Sequence, residues 1–360
     1  MPSSGKPTKI GISGDFPRGK LDRRVSVAPM MDWTDRHCRY FLRGFSPSVL
    51  LYTEMITSAA ILRGERSRLL AFDPEEHPVA LQLGGSDPTE LTAAARAGEQ
   101  AGYDEINLNC GCPSDRVASG AFGACLMREP ERVAECVAAM RAAVQLPVTV
   151  KMRIGVVEGR GASAVAAAGR FDVADLAALA RFIGAMRDAG CDAVIVHARK
   201  AVLGGLSPKD NREVPPLRYD VVRALRSEFP ALPIIVNGGL RSLSAVLDAL
   251  DWCDGVMLGR EAYHRPRLLS ELQAALLGDE RVAEPSREAL LARMARYAER
   301  QVAQGERLAS ITRHMLGLCA GEPRAREYRR LLSEGARAPS AGAALLNRAA
   351  ALLAPVARSV

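Results

Sequence analysis

The chain has 360 residues, of which 48% are hydrophobic and 25% charged. This is the composition of a soluble globular protein with room for one large domain and a smaller one. No run of about 18 apolar residues occurs, which excludes a membrane-spanning helix, and the polar, Gly/Pro-rich N-terminus predicts no secretory signal. The eight cysteines are scattered along the chain, so we expect no disulfide framework and a reducing, cytoplasmic location.

The net charge of +7 is unevenly distributed. Residues 286–360 contain thirteen arginines, no lysine and six acidic residues; residues 1–24 are also basic, whereas residues 25–285 are mildly acidic. Arginine suits bidentate contacts to phosphate and stacking on bases, so the C-terminal part is a candidate nucleic-acid-binding region. Codon bias in an Ala/Arg-rich genome is the alternative explanation, and composition alone does not decide between the two.

Short apolar segments rich in β-branched residues recur from residue 25 to residue 258 and predict eight strands. In chain order they are VSVAPM (25–30), VLLYTEM (49–55), VALQL (79–83), EINLN (105–109), VTVKM (148–152), AVIVHA (193–198), IIVNGG (234–239) and GVMLGR (255–260). Segments with helical periodicity lie between them, among others at 88–101, 131–144, 173–189 and 242–250. Strands that alternate with helices predict parallel βα units, and eight units in about 240 residues predict an α/β fold, a (β/α)8 TIM barrel. A doubly wound open sheet is the alternative.

The pattern changes in two further places. The segment GVVEGRGASAVAAAGRF (155–171) predicts a Gly/Ala-rich loop inserted between the fifth and sixth strands. After Pro266 the strand pattern ends, and residues 285–356 hold only helical patterns. We therefore predict a flexible basic tail over 1–24, a barrel domain over 25–268 and a small C-terminal α-helical bundle over 285–360.

Polar residues stand at the carboxyl ends of the predicted strands. Because the βα loops line the C-terminal mouth of a barrel, these side chains are expected to converge there. In strand order they are Glu54, Gln82, Asn107 with Asn109, Lys151 with Arg153, His197 with Arg199, Asn237 and Arg260. A single strand-end Gln or His is more often a hydrogen-bonded core residue, but so many in register favour a polar binding site.

The last two predicted loops, NGG (237–239) and LGR (258–260), are typical of a phosphate site, since glycine lets the backbone approach an anion and Arg260 can neutralise it. Lys151 and Gln82 suit an extended heterocycle such as a flavin, because the ammonium stabilises negative charge and the amide pairs with an N–H and C=O edge. The pattern favours an FMN-binding barrel, and a phosphosugar enzyme is the alternative.

Three cysteines fall within the segment NLNCGCPSDRVASGAFGACLM (107–127). A zinc site would lack a nearby fourth ligand of usual spacing, and a Cys110–Cys112 disulfide would be cramped and would need an oxidising compartment. We therefore expect no metal, and we expect Cys110 and Cys125 to be small packing residues.

Long contiguous motifs make the chain similar to the tRNA-dihydrouridine synthases, and most similar to the A subfamily. They include APMMDWTDRHCRYFLR, EEHPVALQLGGSDP, GYDEINLNCGCPSDRV, VTVKMRIG, HARKAVLGGLSPKDNREVPPL, DGVMLGREAY and ITRHMLGLCAGEPRAREYRRLLSE. The resemblance extends from about Val25 to Glu334, and the chain departs from the pattern before Leu21 and at 155–171. It implies reduction of uridine to 5,6-dihydrouridine in the D-loop of tRNA, in the region of uridines 20 and 20a, by a cytoplasmic FMN-bound barrel with a helical tRNA-binding domain and NADPH as reductant.

The resemblance also implies roles for individual residues. The flavin contacts would be Pro29, Met30, Met31, Gln82, Lys151 and His197, and the flavin phosphate would be held by Asn237, Gly238, Gly239, Gly259 and Arg260. Cys112 would be the catalytic acid. Contacts to tRNA would come from Asn109, Arg212, Pro215, Arg326, Arg329 and Arg330.

Saturation of the uracil C5–C6 bond needs a hydride at C6 and a proton at C5. Reduced FMN would supply the hydride, and Cys112 suits the proton because a cysteine of ordinary pKa, about 8.5, is mostly a thiol at neutral pH. Two other functions stay open: an FMN barrel that reduces a free dihydropyrimidine or enone, and a non-catalytic RNA-binding protein. We expect a monomer.

Overall fold

The computed structural model describes residues 21–114, 122–277, 285–338 and 340–353, which form a closed parallel barrel and a helical bundle. The strands are β1 (Val25–Val27), β2 (Leu50–Tyr52), β3 (Ile56–Thr57), β4 (Val79–Gly84), β5 (Glu105–Cys110), β6 (Val148–Arg153), β7 (Val156–Glu158), β8 (Ala193–His197), β9 (Ala201–Leu203), β10 (Ile234–Asn237) and β11 (Gly255–Leu258). Eight of them form a ring in the order β1, β2, β4, β5, β6, β8, β10, β11, which the β1–β11 and β2–β4 pairings close. These are the eight predicted strands, so the (β/α)8 barrel is confirmed and the open sheet is excluded.

The helices lie between the strands and after them. They are α1 (Arg36–Arg43), α2 (Ser58–Arg63), α3 (Arg66–Leu69), α4 (Pro88–Ala101), α5 (Pro130–Ala143), α6 (Gly161–Gly169), α7 (Val173–Asp188), α8 (Tyr219–Glu228), α9 (Leu243–Leu250), α10 (Arg260–His264), α11 (Arg267–Leu272), α12 (Arg287–Ala303), α13 (Leu308–Thr312), α14 (Ala325–Gly335) and α15 (Ala344–Leu353). The bounds of α4, α5, α7 and α9 agree with the predicted helices to within one residue. None of the helices in these residue ranges is long and apolar enough to cross a membrane.

Local chemistry sets the ends of these helices. At the start of α4 the Asp87 carboxylate accepts a hydrogen bond from the Glu90 N–H, Pro88 occupies the first turn, and Gly102 ends the helix with φ of 93°. At the start of α7, Asp172 and Asp175 form a capping box.

Closely packed side chains, apolar and polar, fill the inside of the barrel. Leu50, Tyr52, Ile195, Ile235 and Met257 are almost completely buried there, and a second, larger core lies between the strands and the surrounding helices. Because the interior is packed, a ligand can reach the barrel only at its open end, where the strand-end polar residues lie.

The insertion at 155–171 is not the loop that its glycine content predicted. It forms β7 and α6, and β7 pairs in parallel with β9. The alanines of this segment favour a helix more than its glycines oppose one, and Ala164 and Ala168 pack against Val202 in a small separate core.

The predicted tail, 1–24, lies outside the described residues up to position 20. Its last residues belong to the barrel: the Arg23 side chain is buried and its Nε lies 2.7 Å from Glu105 Oε2. The Val256 N–H donates to the Arg24 carbonyl at 2.9 Å, which continues the β1–β11 pairing. The barrel domain therefore begins at least two residues before the predicted boundary, because Arg23 is held by an ion pair and not by an apolar pattern.

The C-terminal bundle, α12 to α15, is helical as predicted and packs against α1. The Tyr40 and Tyr297 rings stack with centroids 3.9 Å apart, and the Arg293 guanidinium lies over the Tyr40 ring at 4.3 Å. His37 Nδ1 lies 2.8 Å from the Tyr297 hydroxyl. Aromatic stacking thus joins the bundle to the first helix of the barrel.

Ion pairs reinforce this junction. Arg293 Nη1 lies 2.5 Å from Glu75 Oε2, and Arg300 Nη2 lies 3.0 Å from Asp73 Oδ2. Asp35 accepts from Arg313 at 2.5 Å. Bundle arginines that the charge distribution offered as phosphate contacts are therefore partly used to hold the bundle on the barrel.

Candidate active site

A ladder of three carboxamides crosses the barrel below its open end. Gln82, Asn107 and Asn109 lie on β4 and β5, and Gln82 is paired in register with Asn107. The Gln82 amide donates to Asn107 Oδ1 at 2.7 Å and accepts from Asn109 Nδ2 at 2.7 Å. Gln82 is 1% exposed, so the residue expected to contact a flavin uses both ends of its amide inside the protein.

Asn109 shapes the loop that carries Cys112. Its Oδ1 accepts hydrogen bonds from the N–H groups of Gly111, at 3.1 Å, and Cys112, at 3.0 Å. The side chain is 8% exposed. Asn109, predicted as a contact to tRNA, is therefore also a structural element of the cysteine loop.

The three cysteines of this segment have different surroundings. Cys110 is completely buried in the main core, as expected of a packing residue. Cys112, just past the end of β5, is partly exposed, and its Sγ lies 3.6 Å from Ser114 Oγ. Cys125 is also partly exposed, with its Sγ 3.1 Å from the Phe122 carbonyl oxygen. All three are free thiols.

Positive charges gather next to Cys112. Burial and the neighbouring Arg153 lower the pKa of Lys151 to about 7. Burial and the adjacent cations Arg153 and Lys151 hold the pKa of His197 well below its usual value, so its imidazole is neutral at pH 7. A negative charge on the Cys112 sulfur would raise the pKa values of Lys151, Arg153 and Arg212, because it would favour their charged forms. The site is thus suited to hold negative charge.

Arg153 binds three loops of the mouth together. It is 3% exposed, and its guanidinium donates to the carbonyl oxygens of Gly111 at 2.9 Å, Lys200 at 3.3 Å and Asn211 at 3.0 Å. Burial and the adjacent Arg212 lower its pKa to about 10. The sequence placed Arg153 at a strand end but gave it no role; its position two residues after Lys151, on the same face of β6, was the available signal.

The residues expected at the phosphate end of a flavin lie on β10, β11 and the turns that follow. Asn237 accepts from Lys151 Nζ at 3.1 Å and donates to the Met257 carbonyl at 2.8 Å, so its side chain positions Lys151. Gly238 and Gly239 have φ of 108° and 77°, and a Cβ on Gly238 would lie 2.7 Å from His197 Cδ2. Both positions therefore require glycine.

Gly259 and Arg260 stand at the start of α10. A Cβ on Gly259 would meet no atom within 4 Å, which leaves its backbone open to a ligand. Arg260 forms an ion pair with the exposed carboxylate of Glu213. A phosphate at this place would compete with Glu213 for the guanidinium.

The first loop of the mouth presents Pro29, Met30 and Met31. Pro29 and Met30 are partly buried, and Met31 is 57% exposed, unusual for so apolar a side chain. Glu54, also expected at the mouth, instead lines a cavity of about 890 Å³ between the barrel and the bundle, together with Arg68, Glu306 and Arg313.

The expected contacts to tRNA differ in accessibility. Arg212 is exposed beside the mouth, whereas Pro215 is buried and its carbonyl oxygen accepts from Arg199. The buried Pro215 ring therefore has little surface for a contact with RNA, whereas the Arg212 guanidinium is accessible. On α14, Arg326, Arg329 and Arg330 are exposed.

The sequence model for dihydrouridine synthases matches residues 26–354. The chain belongs to the dihydrouridine synthase family. Relatives named tRNA-dihydrouridine(20/20a) synthase include one from Xanthomonas axonopodis pv. citri, 55% identical over 326 residues that cover 91% of this chain and 92% of the relative. Another, from Pseudomonas aeruginosa, is 54% identical over 313 residues, which cover 87% of this chain and 90% of that protein.

Solved structures with little sequence similarity share the barrel fold of this family member. A structure described as TcOYE with pHBA has a TM-score of 0.51 and 11% identity, and the match covers 77% of this chain and 96% of that one. At this identity the likeness concerns the fold alone.

Sequence reasoning about this dihydrouridine synthase missed the polar residues deeper in the barrel. Glu105 and Thr149 are completely buried, and the Thr149 hydroxyl donates to Glu105 Oε1 at 2.6 Å. A carboxylate at the start of a fully buried strand was the signal in the sequence, since a buried charge requires a partner.

Proposed function

We propose that this protein reduces uridine to 5,6-dihydrouridine in the D-loop of tRNA, in the region of uridines 20 and 20a, as an FMN-dependent oxidoreductase with NADPH as reductant. Membership of the dihydrouridine synthase family and the names of relatives 54–55% identical support the reaction. The observation that carries the proposal is the partly exposed Cys112 thiol at the open end of the barrel, beside three cationic side chains. Action on tRNA would place the protein in the cytoplasm.

The residues of the mouth fit FMN. Lys151, Arg212 and Arg260 supply positive charge for an anionic cofactor, and the backbone at Gly259 is open to a phosphate. The neutral imidazole of His197 can donate or accept a hydrogen bond. When bound and reduced, FMN would supply the hydride that uracil C6 receives.

Cys112 would provide the proton for uracil C5. Asn109 fixes the backbone of the Cys112 loop through two N–H groups, which directs the thiol from the strand end. After proton transfer the sulfur would be a thiolate, and the positive charges of Lys151, Arg153 and Arg212 would stabilise it. This arrangement suits a proton donor better than a packing residue.

The uracil must leave its stack in the folded tRNA to reach a site inside the barrel mouth, which costs a few kcal/mol. Contacts between phosphates and the exposed Arg326, Arg329 and Arg330 would offset this cost. A reductase of free small molecules would have no need of such contacts.

The test combines the purified flavoprotein, NADPH and tRNA lacking dihydrouridine, with the product mapped by primer extension after alkaline ring opening. We expect dihydrouridine at position 20 or 20a, and no reduction of free uridine at the same concentration. Reduction of free uridine without reduction of tRNA would refute the proposal and favour the small-molecule reductase. NADH in place of NADPH tests the choice of reductant.

A further inference from the structure

A continuous series of buried hydrogen bonds begins at the closed end of the barrel. Arg23 Nε donates to Glu105 Oε2 at 2.7 Å. The other carboxylate oxygen of Glu105 accepts from the hydroxyls of Tyr52, at 2.5 Å, and Thr149, at 2.6 Å. Arg23, Tyr52, Glu105 and Thr149 are each at most 1% exposed, so solvent does not compete for these bonds.

The series continues upward to the cysteine loop. Asn107 Nδ2 donates to Thr149 Oγ1 at 2.8 Å, and Asn107 Oδ1 accepts from Gln82. Gln82 in turn accepts a hydrogen bond from the Asn109 NH2 group. The Asn109 oxygen accepts hydrogen bonds from the backbone N–H groups of the Cys112 loop. Thr149 is the link between the anchored carboxylate and the three amides.

The chemistry of the two ends fixes one direction for every bond in between. A carboxylate only accepts, so Thr149 donates to Glu105 and is left to accept from the NH2 group of Asn107. At the other end backbone N–H groups only donate, so the oxygen of Asn109 must face Gly111 and Cys112. In the absence of such constraints, a carboxamide can rotate by about 180° at little steric cost, which exchanges the positions of its oxygen and its NH2 group. In Asn109 this rotation would place the NH2 group against the two backbone donors.

We propose that Thr149 is a positioning residue for Cys112. The Glu105 carboxylate sets the direction of the first hydrogen bond, and Thr149 passes this direction on through Asn107 and Gln82 to Asn109. This inference rests on the proposed role of Cys112 as proton donor. Without the Thr149 hydroxyl, only the backbone N–H groups of the Cys112 loop specify the orientation of the amides, so the loop is no longer anchored through the series to the Glu105 carboxylate.

The experiment compares the full-length flavoprotein with Thr149→Val, which removes only the hydroxyl at nearly constant volume, and with Thr149→Ser, which keeps it. Ser26→Ala is the matched control, since Ser26 is also buried in the barrel but donates to the Val256 carbonyl outside the series. Three quantities are measured: NADPH-dependent flavin reduction, oxidation of the reduced flavin by tRNA in a single turnover, and the rate of Cys112 alkylation by iodoacetamide, read by peptide mass spectrometry.

For Thr149→Val we expect tRNA-dependent oxidation to slow at least about tenfold and the rate of Cys112 alkylation to change at least about threefold. Flavin content and NADPH-dependent reduction should stay within about twofold, and Thr149→Ser and Ser26→Ala should resemble wild type. A general packing role would slow all the reactions and would slow Ser26→Ala as well.

The inference is overturned if Thr149→Val matches wild type, if Thr149→Ser is as impaired as Thr149→Val, or if Ser26→Ala shows the same defect. If Thr149→Val does not fold, Asn107→Ala interrupts the series one residue higher and must give the same pattern. If even the wild-type protein leaves tRNA unchanged, the proposed function fails, and the alkylation rates alone still decide whether Thr149 positions Cys112.

Discussion

The barrel mouth and the helical bundle both concentrate positive charge, yet they hold it in opposite ways. At the mouth Lys151 and Arg153 are buried or partly buried, and burial together with neighbouring cations lowers the pKa of both side chains. In the bundle, Arg326 and Arg329 stand exposed on one helix. Buried cations at fixed positions act on one small anion, whereas exposed arginines suit the many phosphates of a nucleic acid. The difference suggests that chemistry and RNA affinity can be altered separately.

The largest effect expected at the mouth is that of Cys112→Ala. Loss of the proposed proton donor should slow uridine reduction about 100- to 10,000-fold, while flavin reduction by NADPH stays within about twofold. Single-turnover spectroscopy of the two half-reactions measures both quantities.

Cys110→Ser and Cys125→Ser serve as controls and should keep most of the activity. If Cys125→Ser were the inactive variant and Cys112→Ala active, Cys112 would not be the acid.

The bundle is tested by replacing Arg326, Arg329 and Arg330 with alanine together. Loss of up to three phosphate contacts should raise the KM for tRNA about 10- to 100-fold and reduce the slope of log affinity against log salt by about 2–3, with kcat little changed. Filter binding and steady-state kinetics over a range of salt give these values.

A variant with the same change in net charge controls for general electrostatics. Arg181, Arg187 and Arg223 are exposed on the barrel helices α7 and α8, and their triple replacement by alanine should leave KM within about threefold. Equal effects of the two triple variants would show that the bundle makes no specific contact with RNA.

The junction between the two regions depends on Asp35. Burial alone would raise the pKa of this carboxyl, but hydrogen bonds from His314, the Cys38 N–H and Arg313 hold it well below its usual value. Its stabilising effect is therefore present above the unfolded-state pKa of about 4 and is lost as the pH falls below that value. Asp35→Asn should lower the free energy of unfolding by about 1–2 kcal/mol at pH 7, and by less at pH 3, in urea titrations.

Asp172→Asn is the control for Asp35. Asp35 caps α1 by accepting from the Cys38 N–H, and Asp172 likewise caps α7, a barrel helix, by accepting from the Asp175 N–H. Asparagine caps helices about as well as aspartate, so a cost well under 1 kcal/mol is expected. Equal costs of the two substitutions would mean that Asp35 acts as a cap and not as a junction.

A further effect on stability is a pH dependence caused by Lys151. In the unfolded chain this lysine keeps its proton up to about pH 10.4, but in the folded protein its pKa is about 7. The unfolded state therefore binds more protons between these values, and stability rises with pH by up to about 1.4 kcal/mol per unit. Lys151→Met should lack this slope in urea titrations of flavin-free protein at pH 7, 8 and 9, whereas replacing the exposed Lys209 should keep it. Parallel curves for wild type and Lys151→Met would contradict the prediction.

The sequence allowed the barrel and most of its mouth to be predicted, because strand-forming and polar residues follow one another with the period of a βα unit. It did not show which strand-end side chains are used inside the protein. The amides of Gln82 and Asn109 bind each other, and this depends on the register of β4 against β5 and not on residue type. The prediction of a loop at 155–171 was wrong for a related reason. The segment packs against Val202, which lies some thirty residues further along the chain.

The charge count of the bundle was similarly limited. It could not separate Arg300, which pairs with Asp73, from Arg329, which stands exposed, because this depends on which acidic side chains of the barrel face the bundle.

Arg153 has a consequence for engineering of the mouth. Its guanidinium donates to carbonyl oxygens of three loops: the loop after β5, the loop after β8 and the loop before α8. Replacing one of these loops by a loop of different conformation would therefore leave a buried N–H group of Arg153 with no acceptor. Grafting a new specificity onto this barrel would require the three loops to be transplanted as a set, together with the arginine that they share.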